Sequence, residues 1–184
     1  MMKRAFAAAA FAGTLIAAAA GVASAHPAMA PVCGSMGGTL SRDAQTPSYS
    51  LRLVVGPVEE MYTKAEVAKK HPKSGEVMLG GAPMQMVEGS AARHLEVHVC
   101  KRGTADVVRN AAPTITVSDL TAHTTRKVPV SMMQGVMAGA SDLHYGNNAS
   151  LPAGHRFRVT VAVKGEQASF TFVAPKVKGS GGMG

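Results

Sequence analysis

The sequence predicts an all-β protein, an immunoglobulin-like antiparallel β-sandwich of about seven strands. Several short segments alternate apolar with polar residues at a period of two, which is typical of half-buried strands. Glycine and proline separate these segments, and the chain lacks the alternation of strands and helices that predicts a parallel sheet. Its length is sufficient to bury one core, so we expect a single folded domain.

The first 25 residues predict a secretory signal peptide. Lys3 and Arg4 precede an apolar stretch over residues 7–20, and Ala23-Ser24-Ala25 provides a cleavage site of small residues. No later apolar run approaches the roughly 20 residues that cross a bilayer. We therefore expect a periplasmic protein whose signal peptide is cleaved. Its formal net charge of +8 comes without a basic cluster interleaved with aromatic residues, so we expect no nucleic-acid partner.

Composition divides the rest of the chain into three parts. Residues 26–47 are rich in Gly, Pro, Ala and Met and show no period, which predicts a flexible N-terminal arm. Residues 48–175 contain the predicted strands and form the β-sandwich domain. Residues 176–184 are mainly lysine and glycine, which predicts a disordered tail.

The predicted elements of the domain follow one another along the chain. Residues 59–70 have the helix-forming composition, and this helix should end before His71-Pro72. Gly165 joins the last two strands in a C-terminal hairpin. The predicted strands are Tyr49–Val55, Glu76–Leu79, Pro83–Val87, Arg93–Lys101, Thr114–Leu120, Lys127–Ser131, Arg156–Val163 and Gln167–Val173.

The segment Arg93–Lys101 is the clearest strand because its alternation is strict. One face is apolar and should lie in the core: Leu95, Val97 and Val99. The opposite face presents two imidazoles, a carboxylate and a thiol, with about 7 Å between alternate residues: His94, Glu96, His98 and Cys100. Such a row of donors predicts a metal site. The competing interpretation is a row of ordinary surface side chains.

The two cysteines, Cys33 and Cys100, leave two interpretations open. In an oxidising compartment they form a disulfide that ties the mature N-terminus to the histidine-bearing strand. Alternatively, both are free thiols, and Cys100 is either buried or a metal ligand.

Residues 131–151 form a methionine-rich connection without a strand or helix period. Thioethers are soft and polarizable, so together with His144 they suit copper, above all Cu(I). Packing is the competing explanation for each methionine. Asp142 is placed to orient an imidazole, and Asn147-Asn148 predicts a polar turn.

Two stretches, RHLEVHV and DLHYGNNASLPAGHRFRVTV, together with the methionine between them, resemble the periplasmic iron-uptake accessory proteins that work beside iron permeases and bind copper. The resemblance implies an immunoglobulin-like fold that dimerises and an inner-membrane iron or copper permease as partner. It also implies four metal ligands: His94, Glu96, Met137 and His144. The family has a further ligand histidine near its C-terminus, whereas this chain has none after His155. Water or His98 would then complete the set of ligands.

These observations predict an exported protein that binds copper, or iron at the same site, and acts in metal acquisition or handling beside a membrane transporter. No motif of a serine hydrolase, zinc protease, P-loop or dinucleotide-binding enzyme is present, so we expect no enzyme. Two alternatives stay open. One is a structural or interaction β-sandwich without metal. The other is a copper site on His26, whose amine and imidazole chelate Cu(II) once cleavage makes it the first residue.

Overall fold

The computed structural model describes residues 32–34 and 37–176. The signal peptide, His26 and residues 177–184 of the predicted tail lie outside this part of the chain. Within it, none of the helices has the length and apolar character needed to span a membrane.

Eleven strands and one short α-helix make up the fold. The strands are β1 (Leu40–Gln45), β2 (Tyr49–Gly56), β3 (Met61–Tyr62), β4 (Glu76–Gly81), β5 (Ala92–Lys101), β6 (Thr114–Asp119), β7 (Thr124–Val128), β8 (Ser131–Gly135), β9 (His144–Ser150), β10 (Arg156–Val163) and β11 (Glu166–Val173). Helix α1 spans Lys64–Lys70, and a 3₁₀ turn at Gly139–Asp142 precedes β9.

The strands form two sheets. A seven-stranded sheet has the order β1-β2-β5-β9-β8-β4-β3, and a four-stranded sheet has the order β11-β10-β6-β7. Neighbouring strands are antiparallel, apart from the short parallel pair of β3 and β4. The predicted all-β sandwich is therefore confirmed, with eleven strands rather than about seven.

The core lies between the two sheets and follows the predicted alternation. The inward side chains of β2 and β5 pack against the second sheet. In the large sheet they are Leu51, Leu53, Val55, Leu95, Val97 and Val99, and in the second sheet they include Val117, Phe157 and Val159. All of these side chains are at most 1% exposed. Burying each one contributes roughly 1.5–3 kcal/mol, which fixes which face of β5 points inward.

The outer face of the large sheet is also covered at its centre. Residues His94, Glu96 and His98 of β5 lie on this face, yet both histidines are completely buried. The register pairs His94 with Asn148 and Glu96 with Gly146 of β9. The same face of β9 therefore carries His144, two residues before Gly146. The fold thus brings the predicted ligand strands side by side.

Several predicted boundaries are wrong. The arm is not flexible throughout, because residues 40–45 form the edge strand β1 paired with β2. Segment Lys127–Ser131 is not one strand, because the chain leaves the small sheet before Pro129 and enters the large sheet at β8. Proline lacks the N–H that a continuous ladder needs. Residues 83–87 form no strand.

The helix and the polar turn also differ from expectation. Helix α1 begins only at Lys64, because Thr63 caps it and residues 61–62 pair with β4 instead. The capping is reciprocal: the Thr63 hydroxyl accepts a hydrogen bond from the Glu66 N–H, and the Glu66 carboxylate accepts one from the Thr63 N–H. Residues 147–148 belong to β9, between β5 and β8, and do not form a turn. The methionine-rich connection likewise contains a strand, β8.

Candidate metal centre

Three histidines and two glutamates meet on the outer face of the large sheet. This group, which we call the histidine cluster, consists of Glu76 from β4, His94, Glu96 and His98 from β5, and His144 from β9. The three imidazoles are completely buried. The ring centroid of His144 lies 5.9 Å from that of His94 and 5.3 Å from that of His98.

The carboxylates approach the imidazole Nε2 atoms. An oxygen of Glu76 lies 3.5 Å from Nε2 of His144. The two oxygens of Glu96 lie 3.4 Å from Nε2 of His98 and 4.0 Å from Nε2 of His94. Donor atoms of Glu76, His94 and His144 lie within 4.8 Å of one another, and so do those of Glu96, His98 and His144. Ligands about 2.0–2.2 Å from one ion have a similar spacing.

Hydrogen bonds determine which ring nitrogen of His144 and of His94 is unprotonated. Nδ1 of His144 lies 2.7 Å from the backbone carbonyl oxygen of Asp142, so this nitrogen carries the proton and donates. Nδ1 of His94 lies 3.0 Å from Oδ1 of Asn148. The amide of Asn148 is oriented because its Nδ2 donates to the Glu59 carbonyl at 3.2 Å, so Oδ1 accepts from His94. Both rings therefore turn an unprotonated Nε2 toward the cluster.

Several cluster atoms have no hydrogen-bond partner within the described residues. They are Nε2 of His94, Nε2 of His144, both ring nitrogens of His98 and Oε2 of Glu76. A buried polar atom without a partner costs about 1–3 kcal/mol. The group is therefore expensive as a purely structural feature, whereas a cation would satisfy several of these atoms at once, such as those of Glu76, His94 and His144.

Electrostatics separates the two glutamates. Burial, together with the nearby carboxylates of Glu96, Asp142 and Glu59, raises the pKa of Glu76 to about 9. Burial also acts to raise the pKa of Glu96, but the adjacent imidazoles, that of His98 first, outweigh it and lower that pKa to about 2. Without a cation, Glu76 is neutral and Glu96 is ionised at neutral pH.

Burial keeps the imidazoles of His94 and His144 neutral. It lowers the pKa of His94, and it lowers the pKa of His144 to about 4 despite the opposing effect of Glu96. Neutral imidazole is the form that binds metal, because the lone pair is free.

A short segment of the N-terminal region covers His98. The structure contains a disulfide between Cys33 and Cys100, with 5.7 Å between the two Cα atoms. The next residue, Gly34, has a φ of +75°, and a Cβ atom there would lie 2.1 Å from Cγ of His98. Only a residue without a side chain allows the backbone this close to the ring. The disulfide thus holds the chain against the histidine cluster.

The predicted ligands are not all brought together. The structure places His94, Glu96, His144 and the additional candidate His98 in one cluster. In contrast, Met137 lies in the turn after β8 and is 77% exposed. The buried methionine nearest in register is Met133, which is fully buried and pairs with His144 across β8 and β9.

Sequence reasoning missed the contribution of Glu76 and predicted that of Asp142 through the wrong atom. Glu76 occupies the start of a short predicted strand, and nothing local distinguishes it from a surface carboxylate. It reaches the cluster only because β4 pairs with β8 and β8 with β9. Asp142 orients His144, as expected, but through its backbone carbonyl. Its carboxylate accepts a hydrogen bond from the Gly135 N–H at 3.2 Å and so holds the end of β8.

Comparison with known proteins gives little additional information. No protein-family model matches this sequence, and no curated protein matches it. Among solved structures, the chain is similar to a DUF4426 family protein from Pseudomonas aeruginosa PAO1, with a TM-score of 0.44 and 15% sequence identity. The match covers 75% of this chain and 97% of that chain. At this distance it bears neither on the site nor on the function.

Proposed function

We propose that this protein is an exported metal-binding protein that holds one transition-metal ion in the histidine cluster. Its ion is copper, with iron as the second candidate, and it acts in metal acquisition or handling beside an inner-membrane transporter. The observation that carries the proposal is the set of buried, partnerless imidazole nitrogens directed at two carboxylates.

The donor set favours a divalent ion. Three imidazoles and two carboxylates suit borderline and harder first-row ions, and among divalent ions Cu²⁺ binds such sites most tightly. Cu(I) prefers thioethers, but the exposed Met137 is outside the cluster. We therefore replace the expectation of Cu(I) at this site with Cu(II), or iron in the same position.

The surroundings of the cluster favour holding an ion over catalysis at it. Catalytic sites keep a coordination position open to substrate, whereas closed sites surround the ion with protein ligands. Five donors and the backbone of Gly34 enclose this centre. Export is supported by the signal-peptide pattern and by the disulfide, which is typical of oxidising compartments.

A titration of the mature chain, residues 26–184, tests the proposal. The protein is stripped of metal and titrated with Cu(II), Fe(II) and Zn(II) against a competing chelator. We expect one tight equivalent of Cu(II), with nitrogen hyperfine structure in its electron paramagnetic resonance spectrum. The variant His144→Ala should lose at least about 100-fold in affinity, since a ligand and its well-oriented lone pair are gone.

Two controls make the result decisive. Met137→Leu should bind copper like the wild type, because that side chain is exposed. One extra residue before His26 should also leave binding unchanged, whereas it would abolish a site built on the N-terminal amine. Absence of tight binding in the wild type, or equal affinity in His144→Ala, would refute the metal site and favour a structural or interaction module.

A further inference from the structure

A cavity of about 330 Å³ lies next to the histidine cluster and is lined by three methionines. We call it the methionine cavity; its wall includes Met61, Met84 and Met86, together with Glu59 and Asn148. The described part of the chain contains seven methionines, so nearly half of them meet here.

The exposure of the three methionines increases along the wall, and that of Met86 is unusual for a packing residue. Met61 is buried, Met84 is half-buried, and Met86 is 77% exposed. Packing alone favours enclosure of a thioether side chain, because its stabilisation comes from area removed from water. A graded wall of sulfur donors, from buried to open, instead provides soft ligands that an ion can reach from solvent.

The segment that carries Met84 and Met86 is fixed rather than loosely attached. The Gln85 N–H donates to Oδ1 of Asn147 at 2.8 Å, and Nδ2 of Asn147 donates to the Pro83 carbonyl at 3.0 Å. Asn147 is completely buried. Its side-chain amide is thus hydrogen-bonded to the residues on both sides of Met84 and fixes that segment beside the cavity.

The cavity and the histidine cluster share a wall. Asn147 positions the methionine segment, and the next residue, Asn148, accepts the hydrogen bond from His94. Asn148 and Glu59 both line the cavity, and burial, followed by the charges of Glu96 and Asp142, raises the pKa of Glu59. The two sites are therefore neighbours with different donor chemistry.

We propose that the methionine cavity is a second metal site that binds a soft monovalent cation of the Cu(I) class. Thioethers select Cu(I) over divalent ions, whereas imidazoles and carboxylates suit Cu(II) and iron. With Cu(II) in the histidine cluster, as proposed above, the protein would accept both oxidation states of copper at adjacent sites, but the methionine cavity stands without that. This inference goes beyond the proposed function and does not depend on it.

Silver(I) provides the test, because it mimics Cu(I) without redox chemistry. The mature chain is labelled at the methionine methyl groups with ¹³C and titrated with Ag(I), and each methyl resonance is followed by NMR. We expect the methyls of Met61, Met84 and Met86 to shift first and saturate at one equivalent. The methyl of Met137, equally exposed at 77%, should respond only to excess silver.

Two variants separate this site from the histidine cluster. A double substitution, Met84→Leu and Met86→Leu, keeps similar volume and should weaken Ag(I) binding at least about tenfold, since leucine replaces methionine with little cost in packing. His144→Ala should leave the silver response of the cavity intact. Simultaneous shifts of Met86 and Met137 would overturn the proposal, and so would silver binding that depends on His144 but not on Met84 and Met86.

Discussion

Individual side chains outside the candidate ligand set orient the histidine cluster. Asn148 is one of them: it accepts from Nδ1 of His94 and is itself oriented by the Glu59 carbonyl. Partners of this kind fix the tautomer and direction of a ligand histidine, and losing one typically reduces metal affinity 10- to 100-fold.

The first prediction concerns Asn148→Ala. The ring of His94 loses its acceptor, so Nδ1 and Nε2 can exchange the proton and the metal-facing lone pair is no longer guaranteed. We expect Cu(II) affinity to fall about 10- to 100-fold with stoichiometry unchanged, measured by chelator competition. Unaltered affinity would show that packing alone orients His94.

The second prediction concerns Glu76, whose substitution should stabilise the metal-free protein but weaken copper binding. Its folded pKa of about 9 exceeds the unfolded value of 4.5, so the folded carboxyl keeps its proton between these limits. The contribution of Glu76 to the stability of the metal-free protein is therefore full below pH 4.5 and is lost as pH rises toward 9. Glu96, Glu59, Asp142 and the imidazole of His144 all face this group.

The variant Glu76→Gln removes that titration, and its amide can donate to Nε2 of His144. At pH 8 we expect the free energy of unfolding of the metal-free variant to exceed that of the wild type by about 1–3 kcal/mol. This is the usual cost of a buried polar group without a partner. The difference should vanish near pH 4.5. Copper affinity should decrease. Thermal unfolding with chelator present measures the first effect, and a variant less stable than wild type at pH 8 would contradict it.

At the scale of elements, β9 is the strand that assembles the centre. It lies between β5 and β8, and its residues look like a turn in the sequence because Gly and Asn favour turns. These residues nevertheless form a strand, because the side chain of Asn147 forms hydrogen bonds with backbone groups of Pro83, Gln85 and Pro129. Polar side chains satisfied in this way can occupy a buried strand.

A glycine in β9 gives the third prediction. A Cβ on Gly146 would lie 1.8 Å from the Leu95 carbonyl oxygen, so Gly146→Ala forces β5 and β9 apart. We expect a loss of at least about 1–3 kcal/mol in unfolding free energy, typical of overpacking, together with weaker copper binding. Gly80→Ala in β4 is the matched control, because nothing lies within 4 Å of its Cβ position. Similar unfolding midpoints for the two variants would contradict the assigned contact.

Sequence reasoning succeeded where alternation is strict and failed where strands are made of small and polar residues. β2, β5 and β10 were predictable because apolar side chains recur at every second position and bury against the other sheet. β8 and β9 were not, since methionine, glycine and asparagine carry no such period. The donor face of β5 was therefore predictable, while the position of Met137 and the contribution of Glu76 depend on pairings between distant segments.

For the molecule as a whole, the disulfide joins residues 67 positions apart and holds the N-terminal segment over the histidine cluster. Our fourth prediction is that Cys33→Ser with Cys100→Ser lowers unfolding free energy by about 2–4 kcal/mol. It should also speed copper release, because Gly34 is no longer held over His98. Stopped-flow mixing with excess chelator measures release, and an unchanged rate in a folded double variant would refute the covering role. The Met137→Leu variant provides the reference rate.

The candidate ligands come from β4, β5 and β9, which come together only in the finished sheet, where β8 lies between β4 and β9. An unfolded chain offers little more than the short run His94-Glu96-His98, and both His144 and Glu76 arrive only through long-range pairing. Binding strength is therefore acquired at the end of folding rather than during synthesis. At the proposed site, the ion would then be set by the metals present where the protein folds, so a chain that crosses a membrane unfolded would leave behind the metal pool of the compartment that made it.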